Sequence, residues 1–308
     1  MRGAFITTLT DLADADDRIC LLTGDLGFTV VEPFAERHPT RFFNVGVAEQ
    51  NMVGVATGMA EAGFIPFVYS IATFATLRAY EFIRNGPVLH ELPVRIVGVG
   101  GGFEYGPAGF THHALEDLAL MRTLPGLTVI AQADHRQAAS ALRTTWANTG
   151  PVFYRLGKDD VTTIAGLNGA FDPERMEKVC DGSDVAIVTT GAIAREALAA
   201  ADELRRSGVG CAVFIAATIH PAPANDLAVR LAPFEVVATV EAHYRIGGLG
   251  SLVSEVIAEH GIRARLLRFG VSDAQKTRGG SEAFLNREHG LTGDLIAADL
   301  RAALGRAG

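Results

Sequence analysis

The stretch "RFFNVGVAEQNMVGVATGMA", residues 41–60, places one carboxylate, Glu49, between a run of apolar residues and a helix-like segment of small side chains. A buried carboxylate without a partner costs roughly several kcal/mol, unless it is protonated or hydrogen-bonded. Glu49 is therefore expected either to lie at a surface or to have a specific hydrogen-bonding partner.

The segment that follows Glu49 is unusually slim, because it carries Gly54, Ala56, Gly58 and Ala60. Each glycine inside a helix costs about 1 kcal/mol relative to alanine, so two glycines indicate that another backbone approaches closely. Two interpretations remain open. The helix is either packed tightly in the core, or packed against a partner subunit with Glu49 facing a shared cleft.

On both sides of this stretch, apolar runs alternate with helix-like segments. The runs are nearly continuous in apolar residues, which is typical of strands covered on both faces. The predicted strands are residues 18–24, 65–70, 94–100 and 127–132, and the predicted helices are residues 48–62, 73–85, 114–122 and 135–147. This alternation predicts an α/β fold around a mostly parallel sheet.

The alternation pauses at residues 166–183, which are rich in Gly, Asp and Pro, and then resumes. A strand, an amphipathic helix ending at Gly208, and three further strands follow, at residues 184–191, 192–208, 211–217, 235–241 and 264–270. We therefore predict two three-layer α/β/α domains, residues 1–170 and 183–308, each built around a mostly parallel sheet.

Composition excludes several classes of protein. The net charge of -8 argues against nucleic acid as the main partner. No run of about 18 apolar residues is present and residues 1–12 lack a signal-peptide core, so we expect no membrane association and a cytoplasmic location. Cys20, Cys180 and Cys211 form no metal-binding spacing, which indicates buried thiols in a reducing compartment and no metal site.

Three further motifs are ambiguous when each is taken alone. His112 and His113 precede a helix in residues 109–127 and are typical of a polar loop. The GGxG turn in residues 241–253 lacks the full dinucleotide fingerprint, which favours a role in backbone packing. Arg155 follows a short strand, where an arginine either clamps a phosphate or forms a surface salt bridge.

Taken together, four stretches resemble the transketolase family: residues 41–60, 110–134, 151–158 and 240–251. The resemblance covers essentially the whole chain and corresponds to the pyrimidine-binding and C-terminal domains of that family. It implies a thiamine-diphosphate-dependent transferase of carbohydrate metabolism. Such an enzyme moves a two-carbon ketol unit from a ketose or ketose phosphate donor to an aldehyde acceptor.

The resemblance also implies a cofactor site. Glu49 matches the glutamate that hydrogen-bonds N1′ of the cofactor's aminopyrimidine, and a carboxyl group in a dry site can supply and hold a proton there. Phe74 matches an aromatic residue that flanks the ring. Ile71 stands where another aromatic is common and leaves an apolar wall, and Asp25 matches an aspartate near the cofactor.

The same resemblance implies substrate-binding residues. Thr29 and Arg155 match positions that bind substrate phosphate. His112 matches a histidine that contacts the reacting end of the donor, so we expect it to act with Glu49 in catalysis. His113 replaces a glutamine beside it and is expected to face the substrate as well.

One departure from the family bears on the substrate. Gly100 and Ala108 stand where a histidine and an aspartate recognise donor-sugar hydroxyls, which leaves room for a 2-oxo acid or an unusual sugar as donor. Two alternative functions follow. One is the β-subunit of a 2-oxo-acid decarboxylating component, which the motifs EQNM, LPGL and RLGK disfavour. The other is a non-catalytic regulatory subunit, against which the retained Glu49 speaks.

The diphosphate-binding part of the family is missing from this sequence. Family members hold the diphosphate and Mg²⁺ with a separate domain that carries a GDG motif, and no GDG occurs here. We therefore expect a second polypeptide that supplies this domain and the metal ligands. The expected assembly is an α2β2 heterotetramer with a shared active site and self-dimer contacts through helix 48–62.

Overall fold

A computed structural model describes residues 1–272 and 279–305. Its strands are β1 (Ile19–Thr23), β2 (Phe42–Asn44), β3 (Ile65–Ile71), β4 (Arg95–Val99), β5 (Thr128–Ala131), β6 (Val152–Leu156), β7 (Glu177–Cys180), β8 (Val185–Thr189), β9 (Cys211–Ile215), β10 (Thr218–His220), β11 (Val236–Tyr244) and β12 (Arg265–Val271). Its helices are α1 (Arg2–Ala15), α2 (Glu32–Arg37), α3 (Glu49–Glu61), α4 (Tyr80–Ile83), α5 (Asp117–Arg122), α6 (His135–Thr145), α7 (Ala194–Arg206), α8 (Ala224–Leu231), α9 (Leu249–Glu259), α10 (Glu282–Glu288) and α11 (Gly293–Ala303). No helix within the described ranges has the length and apolar character that crossing a bilayer requires.

The first sheet has seven strands in the order β10-β5-β6-β4-β3-β1-β2, and only the β10–β5 pair is antiparallel. Strands β1, β4 and β6 are buried at every residue, as their continuous apolar runs predict. Helices α1 and α6 pack on one face through Phe5 and Leu142, and helices α3 and α5 pack on the other through Met52 and Leu118. The sheet is therefore the middle of three layers.

The second sheet has five strands in the order β12-β11-β8-β9-β7, with β7 antiparallel to β9. Helices α7 and α11 cover one face with residues such as Leu204 and Ile296. Helices α8 and α9 cover the other face with residues such as Leu227 and Val253. The predicted fold class, two three-layer α/β/α domains that are each built around a mostly parallel sheet, is confirmed.

One short strand joins the sheet of the other half of the chain. Strand β10 comes from the second half of the chain, yet it pairs with β5 at the edge of the first sheet. Strand β7 lies inside the segment that was assigned to neither domain from the sequence. The proposed boundaries at residues 170 and 183 stay a prediction. Strand β7 belongs to the second sheet, whereas β10 joins the first.

The helix predicted over residues 73–85 differs from the structure. A π-helical turn runs from Phe74 to Arg78, a single α-helical turn follows, and a second π-helical turn spans Arg84–Val88. Pro87 lies inside that last turn and lacks the N–H that a continuing α-helix needs. Wide turns of this kind occur often at functional sites.

The three cysteines are free thiols. Cys20 and Cys211 are buried as expected, and burial raises the pKa of Cys211 to about 12. The expectation of a buried thiol is wrong for Cys180, which is partly exposed and accepts a hydrogen bond from Arg205.

A buried ion pair joins the two sheets. Arg155, at the end of β6, donates from Nε and Nη2 to both oxygens of Asp117, at 2.7 and 3.0 Å. Nη2 also donates to the carbonyl oxygens of Ala114 and of Ala242 in β11. Arg155 is 4% exposed and Asp117 is fully buried, so the surface salt bridge considered from the sequence is a buried one instead.

Strand β11 contributes a second polar contact at this junction. His243 is buried, which lowers its pKa to about 4, so it is neutral near pH 7. Its Nε2 can then accept the backbone N–H of Ala119, while Nδ1 donates to the carbonyl of Tyr244. Glu241 accepts the N–H groups of Leu249 and Gly250 where α9 begins.

The GGxG turn serves this packing. A Cβ on Gly248 would lie 2.0 Å from a carboxylate oxygen of Glu241, so only glycine allows the backbone to come this close. The sequence interpretation of a packing turn agrees with these contacts.

The buried pair gives the first prediction. Asp117→Asn leaves the guanidinium of Arg155 buried without its counter-charge, and we expect the free energy of unfolding to fall by about 3 kcal/mol. The matched control is Asp202→Asn, which removes the exposed partner of Arg205 and is expected to cost less than about 0.5 kcal/mol. Urea unfolding of both variants measures the difference, and equal losses would show that the junction does not depend on this pair.

Candidate active site

Glu49 is the first residue of α3 and is 2% exposed. Its Oε1 accepts a hydrogen bond from the hydroxyl of Ser70 at 3.0 Å, and its Oε2 accepts one from Nη1 of Arg78, also at 3.0 Å. The buried acid that the sequence placed beside an apolar run therefore does have partners, a hydroxyl group and a guanidinium.

The parallel sheet brings these groups together. Ser70 is near the end of β3, and Gly24 follows the end of β1, the neighbouring strand. A Cβ on Gly24 would lie 3.5 Å from Oε1 of Glu49, so the carboxylate sits against the carboxyl edge of the sheet. Ligands of open α/β sheets bind at this edge.

Aromatic rings lie next to the Glu49–Arg78 pair. The guanidinium carbon of Arg78 lies 3.8 Å from the centre of the Phe74 ring. The Phe74 ring in turn meets the ring of His112 edge-on at 5.0 Å. The structure therefore brings together three predicted residues, Glu49, Phe74 and His112, and adds Arg78 between the first two.

Sequence reasoning missed Arg78, although a signal was present. Arg78 lies four residues after Phe74 in a helix-like segment, a spacing at which side chains meet on one helix face. A buried carboxylate also requires a positively charged or hydrogen-bonding neighbour. A search of the predicted aromatic segment for a cation would have found it.

The loop after β1 presents two predicted residues to solvent. Asp25 accepts a hydrogen bond from the side-chain amide of Asn44 at 3.0 Å, and the N–H of Thr29 donates to Glu32 at 2.7 Å. Both residues have left-handed backbones, with φ of 58° for Asp25 and 69° for Thr29. For residues other than glycine this conformation is strained by about 1–3 kcal/mol, which is typical of ligand-binding loops.

The two adjacent histidines differ in their surroundings. His112 is half-buried and hydrogen-bonds the hydroxyl of Thr111. His113 is 2% exposed, lies edge-on to the ring of Phe103 at 5.0 Å, and has a pKa that burial lowers. Ile71, the last residue of β3, is half-buried next to Ser70.

The segment from Gly100 to His112 forms another side of this site. A Cβ on Gly100 would lie 2.2 Å from a ring carbon of Tyr105, so the tyrosine ring fills the space beside this glycine. The ring of Tyr105 is 6.5 Å from that of His112 and carries the ammonium group of Lys158 4.2 Å from its centre. Ala108 is exposed in a 3-10 turn of the same loop.

The contacts of Arg155 differ from those of the phosphate-binding residue that the family resemblance implied. Its Nε and Nη2 are already engaged by Asp117 and two carbonyl groups, and the side chain is buried. A guanidinium neutralised by a buried carboxylate has little affinity left for a phosphate. We therefore assign Arg155 to the junction between the sheets.

One face of α3 is exposed. Gly54, Val55 and Gly58 lie on it, whereas Met52 and Ala56 point into the core. A Cβ on Gly58 would meet nothing within 4 Å, so packing within this chain does not require that glycine. Leu77 and Phe82 continue the apolar surface, at 43% and 42% exposed. We call Val47, Gly54, Val55, Gly58, Leu77 and Phe82 the α3 face.

The groups of the site suit the recognition of a planar heteroaromatic ring. It offers an inward-facing carboxylate, an aromatic platform at Phe74, and an opening at Arg78, whose side chain is 43% exposed. No group of three side chains suited to a metal ion occurs within residues 1–272 and 279–305.

Comparison with known proteins begins with two family models. The model described as "Transketolase, pyrimidine binding domain" matches residues 1–163, and "Transketolase, C-terminal domain" matches residues 174–296. Together they cover most of the chain.

Individual relatives agree with these matches. The chain is 37% identical to a putative transketolase C-terminal section of Methanocaldococcus jannaschii, over 96% of this chain and 94% of the relative. It is 34% identical to a 6-deoxy-6-sulfo-D-fructose transketolase subunit of Clostridium sp. (strain MSTE9), over 95% and 90%. A solved structure of a split-gene transketolase, an inactive β4 tetramer, superposes with a TM-score of 0.89 at 35% identity, over 100% of this chain and 99% of that chain.

Glu104, next to Tyr105, gives a prediction for pH. Burial, followed by the charge of Glu282, raises the pKa of Glu104 from 4.5 to about 7. The protonated form therefore contributes stability that is fully present below pH 4.5 and is lost as the pH rises through 7. Between pH 4.5 and 8 the unaltered chain should lose about 3 kcal/mol more stability than Glu104→Gln. Urea unfolding at both pH values tests this, and parallel losses would contradict it.

Proposed function

The chain belongs to the transketolase family, and from that premise we propose that it is the pyrimidine-binding and C-terminal subunit of a split, thiamine-diphosphate-dependent transketolase. The reaction is transfer of a two-carbon ketol unit from a ketose or ketose phosphate to an aldehyde, in cytoplasmic carbohydrate metabolism. The observation that carries this proposal is the buried carboxylate of Glu49 at the carboxyl edge of a parallel sheet, linked through Arg78 to the ring of Phe74.

Thiamine diphosphate, when bound, supplies the carbon nucleophile for such a transfer. In our proposal Glu49 holds a proton at N1′ of the aminopyrimidine, and Ser70 keeps the carboxylate in position through Oε1. Phe74 and Ile71 wall the ring off from water. His112, whose ring edge meets Phe74, faces the reacting end of the donor.

Substrate contacts are proposed for the exposed loops around this ring. Thr29 would bind the substrate and Asp25 would lie near the cofactor, because both are held at the surface by strained backbone beside β1. His113 is better placed behind His112 than against the substrate, since it is buried against Phe103.

A partner chain completes the proposed site. Two relatives of matching length are named a C-terminal section and a subunit, and the similar solved structure is described as an inactive β4 tetramer. We propose that a second polypeptide supplies the diphosphate-binding domain and the Mg²⁺ ligands, in an α2β2 assembly. The α3 face is proposed as the contact between two copies of this chain, because its glycines allow backbones to approach.

A second candidate concerns the donor. Tyr105 fills the space beside Gly100, and Ala108 offers no polar group, so the usual side chains for donor hydroxyls are missing here. This arrangement favours a 2-oxo acid or an unusual sugar as an alternative donor for the same site. Steady-state assays of the reconstituted pair with both donor classes distinguish the candidates.

Replacement of the acid tests the proposed function. In the reconstituted pair, Glu49→Gln should reduce kcat by about 100-fold or more, since the amide cannot hold the N1′ proton as a carboxylate does. Glu61→Gln, at the exposed end of the same helix, is the control and should leave kcat unchanged. Full turnover by the Glu49 variant would refute a catalytic role for this chain.

The α3 face gives a separate prediction. Gly58→Leu should leave folding of the single chain intact, because space is open there and leucine favours a helix. It should weaken self-association by about tenfold or more, since a bulky side chain separates the two backbones. Sedimentation velocity measures this, with Glu203→Leu as control, at a position of α7 whose side chain is 41% exposed. Unchanged assembly of the Gly58 variant would exclude this face as the contact.

A further inference from the structure

The position of Arg78 is unusual for a partly exposed arginine. Its Nη1 donates to Oε2 of Glu49 at 3.0 Å, while its guanidinium carbon lies 3.8 Å above the centre of the Phe74 ring. The planar cation thus meets a carboxylate at its edge and an aromatic ring at its face. Both contacts come from residues that the proposed function assigns to the cofactor ring.

A protonated aminopyrimidine has the same recognition chemistry. It is planar, it presents an N–H group to a carboxylate oxygen, and its face suits an apolar or aromatic wall. Arg78 donates to Oε2 of Glu49 and also covers the face of the Phe74 ring. A planar ring that binds between Glu49 and that face would need the space that the guanidinium occupies.

We propose that Arg78 occupies the place of the aminopyrimidine in the chain on its own, and that cofactor binding displaces it. This inference rests on the proposed function, because it takes Glu49 as the partner of N1′. Arg78 acts as a positioning residue: it neutralises Glu49 and holds the carboxylate in its binding orientation until the ring arrives.

The structure shows which of the two partners can leave. Ser70 is fully buried in β3 and has no path to solvent. Arg78 ends a π-helical turn and its side chain is 43% exposed, so rotation about its side-chain bonds carries the guanidinium into water. Glu49, at 1% side-chain exposure, stays in place and would be left as a buried charge without Arg78.

The binding test uses the full chain mixed with the subunit that carries the diphosphate domain, titrated with thiamine diphosphate and Mg²⁺ by calorimetry. Arg78→Ala removes the competitor and should lower the Kd by about 5- to 10-fold, the combined worth of a partly exposed ion pair and a cation–π contact. Arg78→Lys, which keeps the charge but not the planar group, should give a Kd between those of the unaltered chain and of Arg78→Ala. Arg143→Ala, at an exposed position of α6, is the control and should leave the Kd unchanged.

The outcomes separate this inference from the proposed function. A Kd that is unchanged or raised in Arg78→Ala, while the unaltered pair binds, overturns displacement and leaves the proposed function standing. Failure of every variant to bind overturns both.

A second measurement needs no cofactor. In urea unfolding of the single chain, Arg78→Ala should lower the midpoint in the Glu49 background and have little effect in the Glu49→Gln background, because only a carboxylate needs the cation. Equal effects in the two backgrounds would contradict the pairing on which displacement depends.

Discussion

The carboxylate of Glu49 is the constraint around which the first domain is arranged. A charge at 2% exposure is tolerable only with close partners, and three separate elements supply its surroundings. The end of β1 brings the small residue Gly24, the end of β3 brings the hydroxyl of Ser70, and the π-helical turn brings Arg78. The parallel sheet makes this convergence possible, because the carboxyl ends of neighbouring strands meet at one edge.

We propose that the site so formed is one part of a larger site. It offers a buried carboxylate and an aromatic ring, and the arginine inferred to bind phosphate is engaged in a buried pair. The exposed glycines of α3 and the apolar residues beside them form the surface that we propose another chain covers. Both features are consistent with catalytic machinery divided between two polypeptides.

Features with a local signal were predictable from the sequence. The continuous apolar runs identified the buried strands. The glycines of α3 left two interpretations open, of which contact with another chain stays a prediction. The acid that opens α3 and the aromatic Phe74 were found through a family resemblance, and the structure places them on either side of Arg78.

Features that depend on distant residues were not predictable. The pairing of Arg155 with Asp117 joins residues 38 positions apart, so nothing near Arg155 in sequence distinguishes a phosphate ligand from a structural ion pair. The crossing of β10 into the first sheet depends on distant packing in the same way. The π-helical turn at Phe74–Arg78 shifts hydrogen bonds by one residue, a change that a helical periodicity does not reveal.

The central claim, that this chain provides half of a shared cofactor site, is tested most directly by calorimetric titration of thiamine diphosphate and Mg²⁺. The titration is made into this chain alone and into its mixture with the candidate subunit that carries the diphosphate domain. A shared site predicts binding in the mixture and none in the chain alone. Tight binding by the chain alone would contradict it.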